Sequence, residues 1–173
     1  KEAAILYRSN AQSRVLEEAL LRSQVPYRIY GGQRFFERAE IRNALAYMRL
    51  ISFRDADASF ERVVNTPTRG IGDKSVAMIR NVARAENISL WQASKKLLSG
   101  GSLKGRASNA IQSFLDLIET MDKATEESDL PTLCSVVIEH TGLKAYYERE
   151  KGERGQARVE NLEELITAAR SYD

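Results

Sequence analysis

The sequence has very few of the side chains that build metal and disulfide sites. It contains one cysteine, Cys134, and one histidine, His140. A single cysteine excludes an internal disulfide, and a zinc site made only of protein ligands needs several such residues. We therefore expect Cys134 to be a small buried apolar side chain, and His140 to cap or pack a helix end.

Patterns of membrane and secreted proteins are also missing. No apolar run approaches the roughly 20 residues of a membrane-spanning helix. The first residues, KEAAILYRSN, lack the basic, apolar and small-residue order of a signal peptide. We therefore expect a cytoplasmic protein without a membrane partner. Because the chain begins without methionine and enters an apolar stretch at once, we interpret it as part of a longer protein.

Motifs of self-sufficient enzymes are absent as well. The sequence has no Gly-x-x-x-x-Gly-Lys-Ser/Thr phosphate loop and no Gly-x-Ser-x-Gly nucleophile turn. Most carboxylates fall on polar faces of predicted helices, where a solvated charge is commoner than a general acid or base. We assign the chain no catalytic residue and no metal ligand.

The charges that are present are divided unevenly. Residues 1–84 contain 15 Lys and Arg against 9 Asp and Glu, a net charge of +6, whereas residues 85–173 contain 11 against 15, a net charge of −4. Thirteen of the early cations are arginines, whose planar guanidinium suits phosphate oxygens. The division favours anion binding by the first half, although the charged faces of ordinary amphipathic helices would give the same composition.

Apolar periodicity predicts a mainly α fold preceded by a short β-α-β unit. The segment AAILYRSN is typical of a strand, AQSRVLEEALLRSQ of a helix and VPYRIYGG of a second strand. Such a unit indicates part of an α/β sheet. From Glu37 onward the apolar residues recur at helical spacing. We predict a domain fragment over residues 1–30 and a helical domain over residues 31–173, with Gly31 and Gly32 at the boundary.

The stretch TRGIGDKS, residues 68–75, joins two predicted helices and contains Gly-x-Gly. We predict a helix-hairpin-helix-like turn in which Ile71 enters the core between the two glycines. Amides of the turn and of the next helix would point outward, and Arg69 and Lys74 would flank a phosphate bound there. A plain helix-to-helix turn explains the motif alone equally well.

Two further segments carry side chains suited to nucleic acid. Arg8, Ser9 and Asn10 follow the first predicted strand, where α/β folds place ligand-binding loops. Ser9 or Asn10 could also serve as a helix N-cap, which is compatible with binding. Phe35 and Phe36 could stack on bases, but we favour packing at a domain junction.

Four segments resemble, in order and spacing, the middle of UvrD/PcrA/Rep-type superfamily 1 DNA helicases. They are AILYRSNAQSRVLEEALL, PYRIYGGQRFFERAEIRNALAYMRL, FERVVNTPTRGIGDKS and ARVENLEELITAAR, and the resemblance covers essentially the whole chain. In that family two RecA-like motor domains bind ATP and walk 3′ to 5′ along single-stranded DNA, and each is interrupted by a helical insertion. The resemblance implies that residues 1–30 belong to the second motor domain, 2A, and residues 31–173 to its insertion, the 2B subdomain.

The resemblance also implies site residues. Arg8 and Asn10 match positions that contact the single strand. Positions that hold the duplex ahead of the fork are matched by Thr68, Arg69, Gly70, Ile71, Gly72, Ser75, Arg42 and Arg49, to which the motif itself adds Lys74. The family's phosphate loop, acidic metal site and arginine fingers match no part of the chain. ATP and Mg²⁺ are therefore expected for the complete helicase, and no cofactor for this fragment.

Two functions remain open on the sequence. The first is a subdomain that binds duplex DNA through phosphates and regulates unwinding, in a bacterial, nucleoid-associated helicase of DNA repair and replication. The second is a protein-interaction and autoinhibitory module, in which the acidic second half docks a partner such as a DNA-repair protein. In both, other domains of the same helicase are expected partners, and Gly31 and Gly32 form a suitable hinge.

Overall fold

The structure, a computed structural model, describes residues 3–30 and 32–172, and all the regular secondary structure of these residues is helical. Over these residues there is no strand, and none of the helices combines the length and apolar character needed to cross a membrane. The prediction of a mainly α fold is confirmed.

Nine α-helices are formed by the described residues. They are α1 (Ser13–Arg22), α2 (Ala39–Ser52), α3 (Asp57–Val63), α4 (Asp73–Glu86), α5 (Leu90–Ser99), α6 (Gly105–Thr125), α7 (Leu130–His140), α8 (Leu143–Glu148) and α9 (Glu153–Ala169). Short 3-10 helices lie at Asn10–Gln12, Phe35–Glu37 and Arg170–Tyr172.

Helix α2 lies at the centre of the helical domain. It contacts α3, α6, α7 and α9, and its buried side chains Ile41, Ala44, Tyr47 and Leu50 recur at helical spacing. Full burial of an aliphatic or aromatic side chain of this size contributes about 1.5–3 kcal/mol. The apolar stripe therefore fixes which side of α2 faces inward and leaves its arginines at the surface.

The single cysteine and the single histidine lie on α7. Cys134 is 2% exposed, and burial raises the pKa of its thiol to about 11. The expectation of a small buried apolar side chain is confirmed. His140 is the last residue of α7 and is exposed. The N-cap of the helix is Asp129, whose carboxylate accepts a hydrogen bond from the Thr132 amide at 2.9 Å.

The two predicted strands are not formed. Residues 3–7 and 25–29 have no regular secondary structure, although α1 between them is present as predicted. A strand is stabilised by backbone hydrogen bonds to a neighbouring strand, and no such ladder joins these segments to any other described residues. Gly31 lies outside the described residues, so the hinge and the domain boundary stay predictions.

Arg38 joins the start of α1 and the short helix before it to the helical domain. Its side chain is 7% exposed at the start of α2. Nη1 donates to the carbonyl oxygen of Asn10 at 2.7 Å and to Oδ1 of Asn161 at 2.8 Å, and Nη2 donates to Oγ of Ser13 at 2.6 Å. The guanidinium also lies 5.4 Å from the ring of Phe35. Burial lowers its pKa, against the opposing attraction of nearby carboxylates.

Two buried carboxylates complete this network. Glu17 accepts hydrogen bonds from Ser13 Oγ at 2.8 Å and from the Phe35 amide at 3.2 Å. Glu40 accepts from Nδ2 of Asn161 at 2.6 Å. Since buried charges are tolerated only with compensating partners, the network holds α1, α2 and α9 in one arrangement.

We expect the substitution Arg38→Ala to lower the free energy of unfolding by about 3–5 kcal/mol, because Asn10, Ser13 and Asn161 lose their donor and the buried carboxylates lose a nearby positive charge. Urea unfolding followed by circular dichroism measures the change. The control is Arg84→Ala, at an exposed arginine of α4, for which we expect a change within about 0.5 kcal/mol. Equal stability of the two variants would contradict a stabilising role for the network.

Candidate nucleic-acid interface

Residues 64–72 form the loop that connects α3 to α4. Gly70 has φ +78°, a conformation that glycine adopts without strain. Gly72 is the N-cap of α4, with φ −80° and ψ 164°, and Asp73 is the first residue of the helix. A Cβ built on either glycine would meet nothing within 4 Å. The outer side of the turn is therefore open to a large ligand.

Two internal contacts hold the loop in place. Ile71 is 1% exposed and enters the core, as predicted. Oδ1 of Asn65 accepts hydrogen bonds from the amides of Arg69 at 2.7 Å and Ile71 at 3.3 Å. The side chain of Asn65 thus replaces backbone acceptors inside the turn. Sequence reasoning did not single out this residue, although an asparagine next to a turn is a recognised signal.

A cluster of backbone amides faces outward from the turn. Within the described part of the chain, the amides of Gly70, Gly72, Asp73 and Lys74 have no hydrogen-bond acceptor. All four residues are exposed. The first amides of a helix lack partners inside the helix, and the helix dipole places about half a positive charge at that end. The turn is thus a surface suited to an oxyanion.

Arg69 is oriented differently from our prediction, in which it flanked the bound phosphate. Its guanidinium donates to the carbonyl oxygens of Pro67 at 2.9 Å, Thr141 at 3.2 Å and Val63 at 3.3 Å. It also lies 5.6 Å from the ring centroids of Tyr47 and of Phe114. These contacts turn the side chain inward, because backbone carbonyls and aromatic faces both attract a guanidinium. Arg69 therefore anchors the loop to the core.

The other predicted duplex-binding residues lie at the surface. Thr68 and Lys74 are exposed and Ser75 is partly exposed, on one continuous turn. Arg42 and Arg49 are exposed on α2. These two arginines are seven residues apart, about two helical turns, so they lie on the same side of α2. The predicted cations therefore occupy two separate elements, the turn and α2.

The residues predicted to contact a single strand lie near the start of α1. Arg8 and Asn10 are exposed. The amides of Arg8 and Ser9 donate to Oε1 of Gln12 at 3.1 and 3.3 Å, and Ser9 is the N-cap of the helix Asn10–Gln12. Ser9 thus takes the N-cap position, and its hydroxyl donates to the carboxylate of Glu160 at 2.7 Å. The side chain of Arg8 is at the surface.

The neighbouring phenylalanines have different environments. Phe35 is 1% exposed between α1 and α2, and its amide donates to the carboxylate of Glu17. Phe36 is 43% exposed, and its ring meets that of Phe35 edge to face at 5.1 Å. Packing was the favoured interpretation of the pair, and the burial of Phe35 supports it.

A groove of about 490 Å³ adjoins the turn. It is lined by Pro67, Thr68, Gly142, Ala145, Tyr146, Arg149 and Glu150. Arg149 is exposed there, and sequence reasoning did not identify it because no local motif marks the residue. No group of His, Cys, Asp and Glu side chains in residues 3–30 and 32–172 is arranged to hold a metal ion.

Comparison with known proteins identifies the family. A model of the UvrD-like helicase C-terminal domain matches residues 1–173. DNA helicase II of Escherichia coli (strain K12) is 57% identical over 171 residues, which is 99% of this chain and 24% of that protein. ATP-dependent DNA helicase PcrA of Bacillus subtilis (strain 168) is 37% identical over 172 residues, 99% of this chain and 23% of that protein. The chain belongs to the UvrD-like helicase family, within its C-terminal domain.

The coverage of these relatives is partial. The chain spans about a quarter of the length of the curated relatives it matches. The resemblance seen in the sequence is confirmed at the level of the family, whereas the activity of a whole helicase belongs to a much longer protein.

We expect Asn65→Ala to loosen the turn, because the amides of Arg69 and Ile71 lose their acceptor. The free energy of unfolding should fall by about 1–3 kcal/mol, the usual cost of leaving buried polar groups unsatisfied. Hydrogen exchange measured by mass spectrometry should accelerate over residues 64–72. Asn109→Ala, at an exposed asparagine of α6, is the matched control, and similar exchange in both variants would argue against this role of Asn65.

Proposed function

We propose that this chain is the part of a longer ATP-dependent DNA helicase that holds duplex DNA by its phosphates and regulates unwinding. The observation that carries the proposal is the exposed turn with four outward amides at the start of α4. The family supports it, since relatives are named DNA helicase II and ATP-dependent DNA helicase PcrA. The chain holds the DNA without hydrolysing ATP itself.

The turn suits the backbone of DNA better than its bases. Phosphate oxygens accept from outward amides, and the absence of a Cβ at Gly70 and Gly72 lets the backbone of the protein and the DNA approach closely. Lys74 adds an exposed cation in the first turn of the helix. Main-chain contacts of this kind position a duplex but do not read its sequence. We infer sequence-independent binding by a helix-hairpin-helix-like turn.

Arg42 and Arg49 extend the proposed surface along α2. Both side chains are exposed on one side of that helix, and within the described residues neither takes part in a salt bridge. A guanidinium without a carboxylate partner is available to a phosphate. Thr68 and Ser75 supply hydroxyl groups next to the amides.

The first 30 residues, in this proposal, belong to the α/β motor domain 2A. Several of their apolar side chains are exposed: Ile5, Leu6, Tyr7, Val15, Leu21, Val25 and Tyr30. Clustered exposed apolar side chains are typical of a surface that another part of a protein covers. The remainder of the motor domain would cover them and would pair with residues 3–7 and 25–29 as strands. Arg8 and Asn10 would then lie beside the single strand.

ATP and Mg²⁺ would be bound by other parts of the helicase. In the described residues the carboxylates needed to hold a metal ion are not brought together, and the sequence has no phosphate loop. The contribution of this chain is therefore mechanical: it holds the duplex while the motor moves along the single strand.

Binding to a duplex with a single-stranded tail should weaken steeply with salt. A gel-shift titration at several salt concentrations should give a plot of log affinity against log salt whose slope is about −0.9 for each phosphate neutralised. Affinity should be nearly the same for unrelated duplex sequences, because the contacts go to the backbone. A slope near zero, or capture of a repair protein without any duplex binding, would favour the protein-interaction module instead.

We expect Gly72→Asp to weaken duplex binding strongly while keeping the fold. Aspartate is a favoured N-cap, so α4 should be as stable as before. Its carboxylate would occupy the outward amides and repel a phosphate. The control Ser89→Asp places the same charge at the N-cap of α5. If the two variants bind duplex DNA equally well, the turn is not the phosphate site.

A further inference from the structure

Arg62 differs from the other partly buried arginines of the described residues. The others have partners: Arg14 pairs with Glu18 and Glu164, Arg54 with Asp122, and Arg158 with Glu150, while Arg38 and Arg69 donate to backbone carbonyls. Arg62 is half-buried in the last turn of α3, and its Nε is a buried atom with no hydrogen-bond partner in the described chain. It takes part in no salt bridge there.

The charged neighbour of Arg62 is another arginine. Arg42 is exposed on α2, the helix that packs against α3. Burial, and then the positive charge of Arg42, lower the pKa of Arg62. The phenol of Tyr147 also lies near it and accepts a hydrogen bond from Asn43 at 2.9 Å, whereas the adjacent Glu61 pairs with Arg80. Two neighbouring guanidiniums without a carboxylate between them raise the energy of the unliganded protein.

The kind of ligand that would relieve this repulsion follows from the chemistry of the pair. It must carry negative charge and offer more than one acceptor oxygen, so that each guanidinium can donate to it. The phosphodiester of a nucleic-acid backbone satisfies both conditions. The position of Arg62 agrees with such a ligand, because the loop of residues 64–72, with its outward amides, follows it directly.

We propose that Arg62 and Arg42 together bind one backbone phosphate of the duplex, which makes Arg62 an additional DNA-binding residue. This inference rests on the proposed function, since it assumes that the neighbouring turn holds the same DNA. The phosphate at the arginine pair is separate from the one at the amides of Gly70 to Lys74. The turn contributes main-chain donors, and the pair contributes charge.

The pair also predicts an unusual combination of effects. Removal of an arginine that stabilises a fold normally lowers the melting temperature. Removal of Arg62 takes away a half-buried charge that lacks a partner and lies beside a like charge, so the melting temperature should stay the same or rise. Binding should weaken at the same time. A purely structural role of Arg62 would not give this combination.

The test compares Arg62→Gln with Arg106→Gln, which removes the same charge from an exposed position on α6. Arg62→Gln should weaken binding to a tailed duplex roughly tenfold, as expected for a charge-assisted hydrogen bond, and should reduce the size of the salt slope by about 0.9. Arg62→Lys should restore most of the slope but not all of the affinity. The double variant Arg42→Gln/Arg62→Gln should lose less binding free energy than the two single variants lose in total, because both side chains contact one phosphate.

The outcomes separate this inference from the proposed function. If the unsubstituted chain binds no duplex, the proposed function fails and the arginine pair fails with it. If that chain binds with a steep salt slope but Arg62→Gln matches Arg106→Gln, only the arginine pair is overturned. A clear fall in the melting temperature of Arg62→Gln overturns it as well. The inference is also overturned if inorganic phosphate binds at the pair but leaves duplex binding unchanged.

Discussion

The buried guanidinium of Arg38 is the constraint on which the arrangement of the helices depends. A charge that is only 7% exposed needs acceptors wherever the chain can supply them. Here they come from the backbone of Asn10, from Ser13 on α1 and from Asn161 on α9. These elements cannot separate without leaving the charge unsatisfied. The start of α2 is fixed by this network, and α3, α6, α7 and α9 pack around α2.

The guanidinium of Arg69 also finds its acceptors on the backbone. It donates to carbonyl oxygens and not to carboxylates, so its positive charge is held in place but not neutralised. The charge remains close to the outward amides of the turn. Electrostatic attraction acts over several ångströms, particularly where water is partly excluded. Arg69 can therefore strengthen anion binding at the turn without touching the anion, which gives the predicted residue an indirect part in the site.

Periodicity predicted the helices and much of the core because burial of apolar side chains follows local spacing. Ile71 was predicted on a different ground, as the apolar side chain between two glycines of a turn, and it is buried. The two strands could not be predicted in the same way, because a strand depends on a partner segment that local pattern does not contain. The direction of Arg69 was also beyond sequence reasoning. A guanidinium carries the same charge whether it faces carbonyls or solvent, and only the positions of Pro67 and Thr141 decide.

Arginines that have acceptors inside the chain differ in role from Arg62 and Arg42, which lack them among the described residues. Arg14 and Arg54 face carboxylates, and Arg38 has acceptors on three elements, so the charges of these residues are used within the chain. Arg62 has no such acceptor among the described residues, and Arg42 lies near it with the same charge. A protein gains binding free energy from such a site because the ligand relieves a repulsion already present in the free state. Arg42 lies on α2 and Arg62 on α3, the helix that leads into the turn, and the outward amides of that turn have no acceptor among the described residues. In the proposed function both features bind the same ligand, because a polynucleotide backbone is long enough to supply negative charge at both positions.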